Sequence, residues 1–252
     1  MSYKLEIYGI TDKGRMRDKN EDNFYYDQEL GFMIIADGMG GHRKGELASE
    51  MAVKSVYEKY KEMVLNRIIP EINQSYLAET NMLIKAFDYA NSLIWQYSCE
   101  HEEAKGMGTT LTAVVFHNEN MFSVVHVGDS RAYLIRDKEI IQLTEDDSFV
   151  MEEYRKGRIS LEDTRRFLYR NILTKAIGIK EQIDYFVYEQ RLRDGDIVIL
   201  ATDGFTKAVE EKEVVEIINS NKFSFELCQK LVELANAKDG SDNITLVVAR
   251  LI

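Results

Sequence analysis

Proline is nearly missing from this sequence. Pro70 is the single one in 252 residues, and no Gly/Ser-rich or Pro-rich stretch stands in for a linker. With no internal repeat either, one compact domain, 1–252, is the simplest organisation. Cysteine is almost as scarce: Cys99 and Cys228 fall in helical patterns without metal-ligand spacing. Both are expected to be buried free thiols, which suits a reducing cytoplasm. Long apolar runs are lacking too. None approaches the ~18 residues of a membrane span, and the first residues, MSYKLEIYGITDKGRMRDKNED, lack the apolar core of a signal peptide. A cytoplasmic protein without membrane insertion is expected. Positive charge is short: 32 Lys and Arg face 43 Asp and Glu, a formal net charge of -11. Such a surface repels nucleic acid and anionic lipid, so neither is expected as a partner.

What is present is a series of short apolar segments of strand type, at 4–10, 23–27, 31–36, 110–117, 121–127, 131–136, 184–189, 196–201 and 244–251. Several are bounded by Asp-Gly, Asn or Gly, which are turn signals. Two long helical patterns interrupt them. Ala48, Ala52, Val56, Tyr60 and Met63 recur at helical spacing in the first, and Leu83, Phe87, Ala90, Ile94 and Tyr97 in the second. Pro70 lies between the two, where a helix must break. A third helix is predicted over 224–237. The charged segment 146–173 interrupts the strand series and reads as a mobile excursion, with a helix start at Ser160 backed by Asp163. Strands joined by tight turns, with helices grouped between strand blocks, predict an α+β fold with antiparallel sheets.

The informative pattern is where the aspartates fall. FMIIAD ends a strand on Asp37 and DIVILATD ends another on Asp203, whereas Asp22 and Asp242 each stand immediately before a strand. In a hairpin the start of one strand lies beside the end of the next, so Asp22 and Asp37 should sit ~5 Å apart at one end of a sheet. Asp203 and Asp242 meet by the same logic if their strands are antiparallel neighbours. Asp129, after a further strand, is a fifth candidate. Two carboxylates ~4 Å apart repel by roughly 4 kcal/mol at an effective dielectric near 20. Protonation or a hard cation relieves that, and an all-oxygen ligand set favours Mg²⁺ or Mn²⁺. Any single Asp-Gly is more often a structural turn. Spacing alone leaves the reaction open.

The segments TDKGRMRDKNED, ADGMGGHRKGELAS, GMGTTLTAVVF, VGDSRAYLIRDKEIIQLTEDDS, NILTKAIG, LATDGF and DGSDNITLVV occur in order along almost the whole chain. Together they resemble the metal-dependent, type 2C serine/threonine protein phosphatases, the bacterial branch in particular. The resemblance implies a four-layer α-β-β-α sandwich of two antiparallel sheets flanked by helices, with 146–173 as a flap beside the site. It implies Asp37 and the Gly38 carbonyl as metal ligands, Asp37 bridging two ions, with Asp203 and Asp242 on the second. Asp22 and Glu21 would act through bound water, Asp129 would hold a third, weaker ion, and Arg17 would grip the substrate phosphate. The implied activity is hydrolysis of phosphoserine and phosphothreonine in proteins by a metal-bridging hydroxide. The implied cofactor is Mn²⁺ or Mg²⁺, and an opposing Ser/Thr kinase is the implied counterpart.

The chain also departs from that family. Met39 stands where animal members carry a histidine, and His42 is the nearest candidate acid. Asp146-Asp147-Ser148 replaces the usual Asp-His-Ser. Lys207 replaces the last aspartate of DG-x-x-D; it either weakens a nearby metal by repulsion or points to solvent. Two other functions stay open at this level: a non-catalytic phosphoprotein-binding module on the same fold, and a hydrolase of small phosphate compounds.

Overall fold

The computed structural model describes residues 4–39, 44–117, 120–164, 167, 169 and 171–252. Along the chain, β1 (Leu5–Asp12), β2 (Asp22–Asp27) and β3 (Phe32–Met39) precede the helices α1 (Gly45–Asn66) and α2 (Ala78–Glu100). Then come β4 (Gly108–Thr109), β5 (Leu111–Phe116), β6 (Met121–Val127), β7 (Arg131–Arg136) and β8 (Glu139–Gln142). The helices α3 (Phe149–Arg155) and α4 (Leu161–Thr164) follow, then β9 (Phe186–Arg191) and β10 (Ile197–Ala201). The chain closes with α5 (Asp203–Thr206), α6 (Glu211–Ser220), α7 (Phe225–Lys238) and β11 (Ile244–Leu251).

The strands form two antiparallel sheets, ordered β1-β11-β10-β7-β8 and β2-β3-β5-β6-β9, with β4 added beside β3. Three apolar clusters fill the spaces between layers. Met33, Ile35, Val114 and Val124 meet Ile7, Leu134, Val198 and Val247 between the sheets. Phe32, Ile34 and Ala36, on the opposite face of β3, pack with Val56, Leu83 and Phe87 of α1 and α2. Ile199, Ala201 and Leu246 do the same with Leu227, Leu231 and Val232 of α7. Alternate residues thus serve different layers, and strands covered on both faces read as unbroken apolar runs such as FMIIA. This is the expected α-β-β-α sandwich.

The strands read from the sequence are present, some with ends shifted by a few residues. β8 goes beyond them, a four-residue edge strand too short for its period to register. So does α6, whose capping box is built by Glu210 and Glu213 instead of an opening Ser or Thr. One expectation is overturned. Cys228 is buried, but Cys99 is exposed, because position 99 falls off the stripe of α2 that carries Leu83, Phe87, Ala90 and Ile94 into the core. No helix among the described residues is long and apolar enough to cross a membrane.

The excursion 146–173 is pinched at its base. Ser148 and Leu173 form an isolated bridge, the Thr174 amide donates to the Asp147 carbonyl at 2.8 Å, and Phe149 donates to Ile172 at 2.8 Å. Ser160 and Asp163 exchange hydrogen bonds at the start of α4, as the sequence predicts.

Candidate metal centre

Pairing register brings the first two aspartates together. Asp22 and Asp37 are direct partners across β2 and β3. Asp37 shares the parity of Met33 and Ile35, so both carboxylates enter the gap between the sheets at its open end. β10 and β11 are antiparallel neighbours with Ala201 opposite Leu246. Asp203, two residues past Ala201, therefore arrives at the end where Asp242 precedes Ile244. Asp129 reaches the same end on the turn between β6 and β7. All five lie within one electrostatic neighbourhood: Asp37 feels Asp22, Asp203, Asp129 and Asp242.

The backbone around Asp37 is fixed from several sides. Its amide donates to the Thr110 hydroxyl at 2.9 Å, and its carbonyl accepts from the Thr110 amide at 2.9 Å and the Thr109 hydroxyl at 2.8 Å. The Thr110 hydroxyl also touches that of Ser130 at 2.7 Å, next to Asp129. Gly38 is required by close approach. A Cβ there would stand 2.1 Å from the Gly45 carbonyl oxygen, at the start of α1.

Asp22 is 7% exposed, and the Thr202 hydroxyl donates to its Oδ2 at 2.8 Å. Burial pushes its pKa up to about 7, against the hydroxyls of Thr245 and Thr202, and the charges of Asp203 and Asp242 add to the rise. Burial and then Asp203 push Asp129 up to about 7 as well. The Asp37 carboxyl stands well above the usual range, from burial and then its four acidic neighbours. Burial also raises Glu21, with Arg17 and Lys19 acting against it.

The acidic centre carries its own cations. Arg17 Nη2 donates to Asp242 Oδ2 at 2.8 Å, and Lys207 Nζ pairs with Asp203 Oδ2. Yet Asp22 Oδ1 and Asp203 Oδ1 are buried with no hydrogen-bond partner. Orphaned anionic oxygens in a crowded acidic site are a fit for hard divalent cations. Among the described residues no three His, Cys, Asp or Glu side chains close on one point as a finished coordination shell. Asp242 turns Oδ2 onto Arg17 and Asp203 turns Oδ2 onto Lys207, so an ion would share these carboxylates with the two cations and draw further ligands from the Gly38 carbonyl and water.

Asn243 escaped the sequence reading. It accepts from the Glu21 amide at 2.8 Å and donates to the Lys13 and Lys19 carbonyls at 2.8 and 2.9 Å. It thereby clamps the loop that carries Arg17. Its only sequence signal is adjacency to Asp242. Replacing Asn243 by alanine strands one amide and two carbonyls, each worth about 1 kcal/mol. A drop of roughly 5–10 °C in Tm is expected in thermal denaturation. Asp146 and Asp147 shape the loop around Asp129: Arg131 grips Asp146 at 2.9 and 2.7 Å, and the Asp147 amide donates to the Gly128 carbonyl at 2.6 Å. Thr109 and Thr110 act on the backbone of Asp37. His42 lies outside the described residues.

A cavity of about 680 Å³ lies elsewhere, between α2 and the segment after the excursion, lined by Asp88, Asn91, Lys175, Lys180 and Tyr185. It contains none of the five aspartates.

With this geometry in place, the comparisons with known proteins agree. The family model described as protein phosphatase 2C matches residues 15–244. The serine/threonine phosphatase stp of Listeria monocytogenes is 36% identical over 241 residues, covering 94% of this chain and 92% of that one. The serine/threonine phosphatase of S. agalactiae superposes with a TM-score of 0.86 at 30% identity, covering 98% and 99% of the two chains. The catalytic domain of the phosphatase PstP, in complex with 2 manganese ions, superposes with a TM-score of 0.84 at 31% identity over 100% of both. The chain belongs to the protein phosphatase 2C family, in its bacterial branch, and is an enzyme of the protein serine/threonine phosphatase class.

Proposed function

We propose that the chain hydrolyses phosphoserine and phosphothreonine in other proteins with two Mn²⁺ or Mg²⁺ ions held at the end of the sandwich. The observation that carries this is the convergence of Asp22, Asp37, Asp203 and Asp242, with the buried orphan oxygens of Asp22 and Asp203. Asp37 with the Gly38 carbonyl, and Asp203 with Asp242, are the proposed direct ligands; Asp22 and Glu21 would act through water, and Asp129 marks the place of a further cation. When bound, the ions would activate water and neutralise charge on the phosphoryl group. Arg17, half exposed at the rim beside Asp242, would orient the phosphate, since a guanidinium stays charged and can bind two phosphate oxygens at once. Thr202 holds the Asp22 carboxylate, and Thr109 and Thr110 fix the backbone that carries Asp37, so little rearrangement is needed at the moment of reaction.

The reading takes 1–252 as one catalytic domain, with 146–173 as a flap beside the site. The clients would be cytoplasmic phosphoproteins made by an opposing Ser/Thr kinase. The test is release of phosphate from a phosphothreonine peptide. Turnover with Mn²⁺, its loss in excess chelator and its recovery on adding Mn²⁺ back are expected. Robust turnover in chelator would defeat the reading.

A further inference from the structure

Lys207 follows the one-turn helix α5 and lies four residues after Asp203, so the two side chains share a helix face. Its ammonium does not turn away. It pairs with Asp203 Oδ2 and donates to Asn171 Oδ1 at 3.0 Å, at the far end of the excursion. It is felt through space by Asp129 and Asp37 as well as Asp203, and these three keep it charged although burial works against the charge. Asp129, only 8% exposed, lies within electrostatic reach of Asp203, Lys207 and Arg131. The position therefore holds a cation on a covalent tether, facing the two carboxylates that an additional divalent ion at Asp129 would need. A dication placed there would stand against a fixed positive charge.

We propose that Lys207 is the resident third cation of this centre, serving Asp203 and Asp129 so that the site loads two divalent ions and no more. The inference rests on the two-ion reading above, and it makes Lys207 a charge-setting residue, not a ligand. The lysine neutralises the cluster without a coordination shell. It also competes for Asp203, so ion loading at Asp203 is expected to be weaker than a lysine-free cluster would give.

The test counts ions without measuring turnover. Mn²⁺ titration by calorimetry, with bound manganese measured by elemental analysis after dialysis, is applied to the full chain and to Lys207→Arg, Lys207→Met, Lys207→Asp and the double variant Lys207→Asp with Asp129→Asn. The natural chain and Lys207→Arg should each bind two ions with the same affinity. Lys207→Met should bind the first two about tenfold more tightly and admit a third, weaker ion. Lys207→Asp should bind that third ion more tightly, and the added Asp129→Asn should remove it. Three ions in the natural chain, or only two ions or unchanged affinity in Lys207→Met, would each overturn the inference while leaving the two-ion reading intact. No bound manganese in the natural chain would overturn both.

Discussion

Replacing Asp37 by asparagine is expected to lower Mn²⁺-dependent phosphate release by about 10³-fold or more while making the metal-free protein more stable. The two effects have one cause. Asp37 faces Asp22 across the β2–β3 pair and feels Asp203, Asp129 and Asp242. It is therefore the carboxylate on which the repulsion of the cluster is concentrated, and the one that the proposed function shares between two cations. Losing one preorganised electrostatic element from a site of this kind costs about 10²–10³ in rate, and losing a shared ligand costs more. Asparagine has nearly the same shape, and the Asp37 backbone bonds to Thr109 and Thr110 do not depend on the side chain. In chelator the variant should melt a few degrees above the natural chain, because a buried charge has gone; in saturating Mn²⁺ the order should reverse. Scanning calorimetry under both conditions, alongside hydrolysis of an aryl phosphate, reads the pair of effects. A variant less stable than the natural chain in chelator would show that Asp37 serves folding instead.

The metal-free protein should also gain stability on mild acidification. Asp22 and Asp129 rise from an ordinary value of 3.8 to about 7 in the fold, through burial first and then their acidic neighbours. A carboxyl whose folded pKa is raised binds its proton more tightly when folded. Its contribution to stability is complete below about pH 4 and is lost as pH rises towards 7. From pH 7.5 down to 5.5 the two groups together gain about 4 kcal/mol, so the Tm in chelator should climb by roughly 8–15 °C, since 1 kcal/mol is worth roughly 2–4 °C at this chain length. Mn²⁺ inverts the trend. Cations bind the ionised carboxylates, so at a hundred times the dissociation constant they add about 2.7 kcal/mol at pH 7.5 and progressively less as protons compete. Calorimetric scans at several pH values, with and without Mn²⁺, test both slopes. A Tm in chelator that falls steadily over this window would remove the argument that these carboxylates are ionised only at a cost.

The same residues separate what could be read in advance from what could not. Asp22 and Asp37 were legible as a pair because hairpin geometry is local: ten intervening strand positions and a tight turn leave one register that buries Met33 and Ile35. Lys207 was not legible. Its sequence position allows a lysine directed at solvent or at Asp203, and only the placement of Asn171, brought back from the excursion, and of Asp129 decides between them. Asn243 was silent for a related reason, because its three partners, Lys13, Lys19 and Glu21, lie over two hundred residues away. Cys99 was misjudged because a helical pattern says that a stripe is buried, not which neighbouring positions the covering layer reaches.

The order of apolar strands and stripes, set by side-chain period, therefore determined by itself an α+β fold with antiparallel sheets, helices grouped between strand blocks and aspartates at strand ends; the two-sheet sandwich was implied only by the family resemblance. Tertiary structure alone decided which charges answer those aspartates and which of their oxygens stay unpartnered. The physical reason is range: backbone periodicity acts over a few residues, whereas burial and Coulomb energy depend on distances in space that the chain closes only when both sheets have packed.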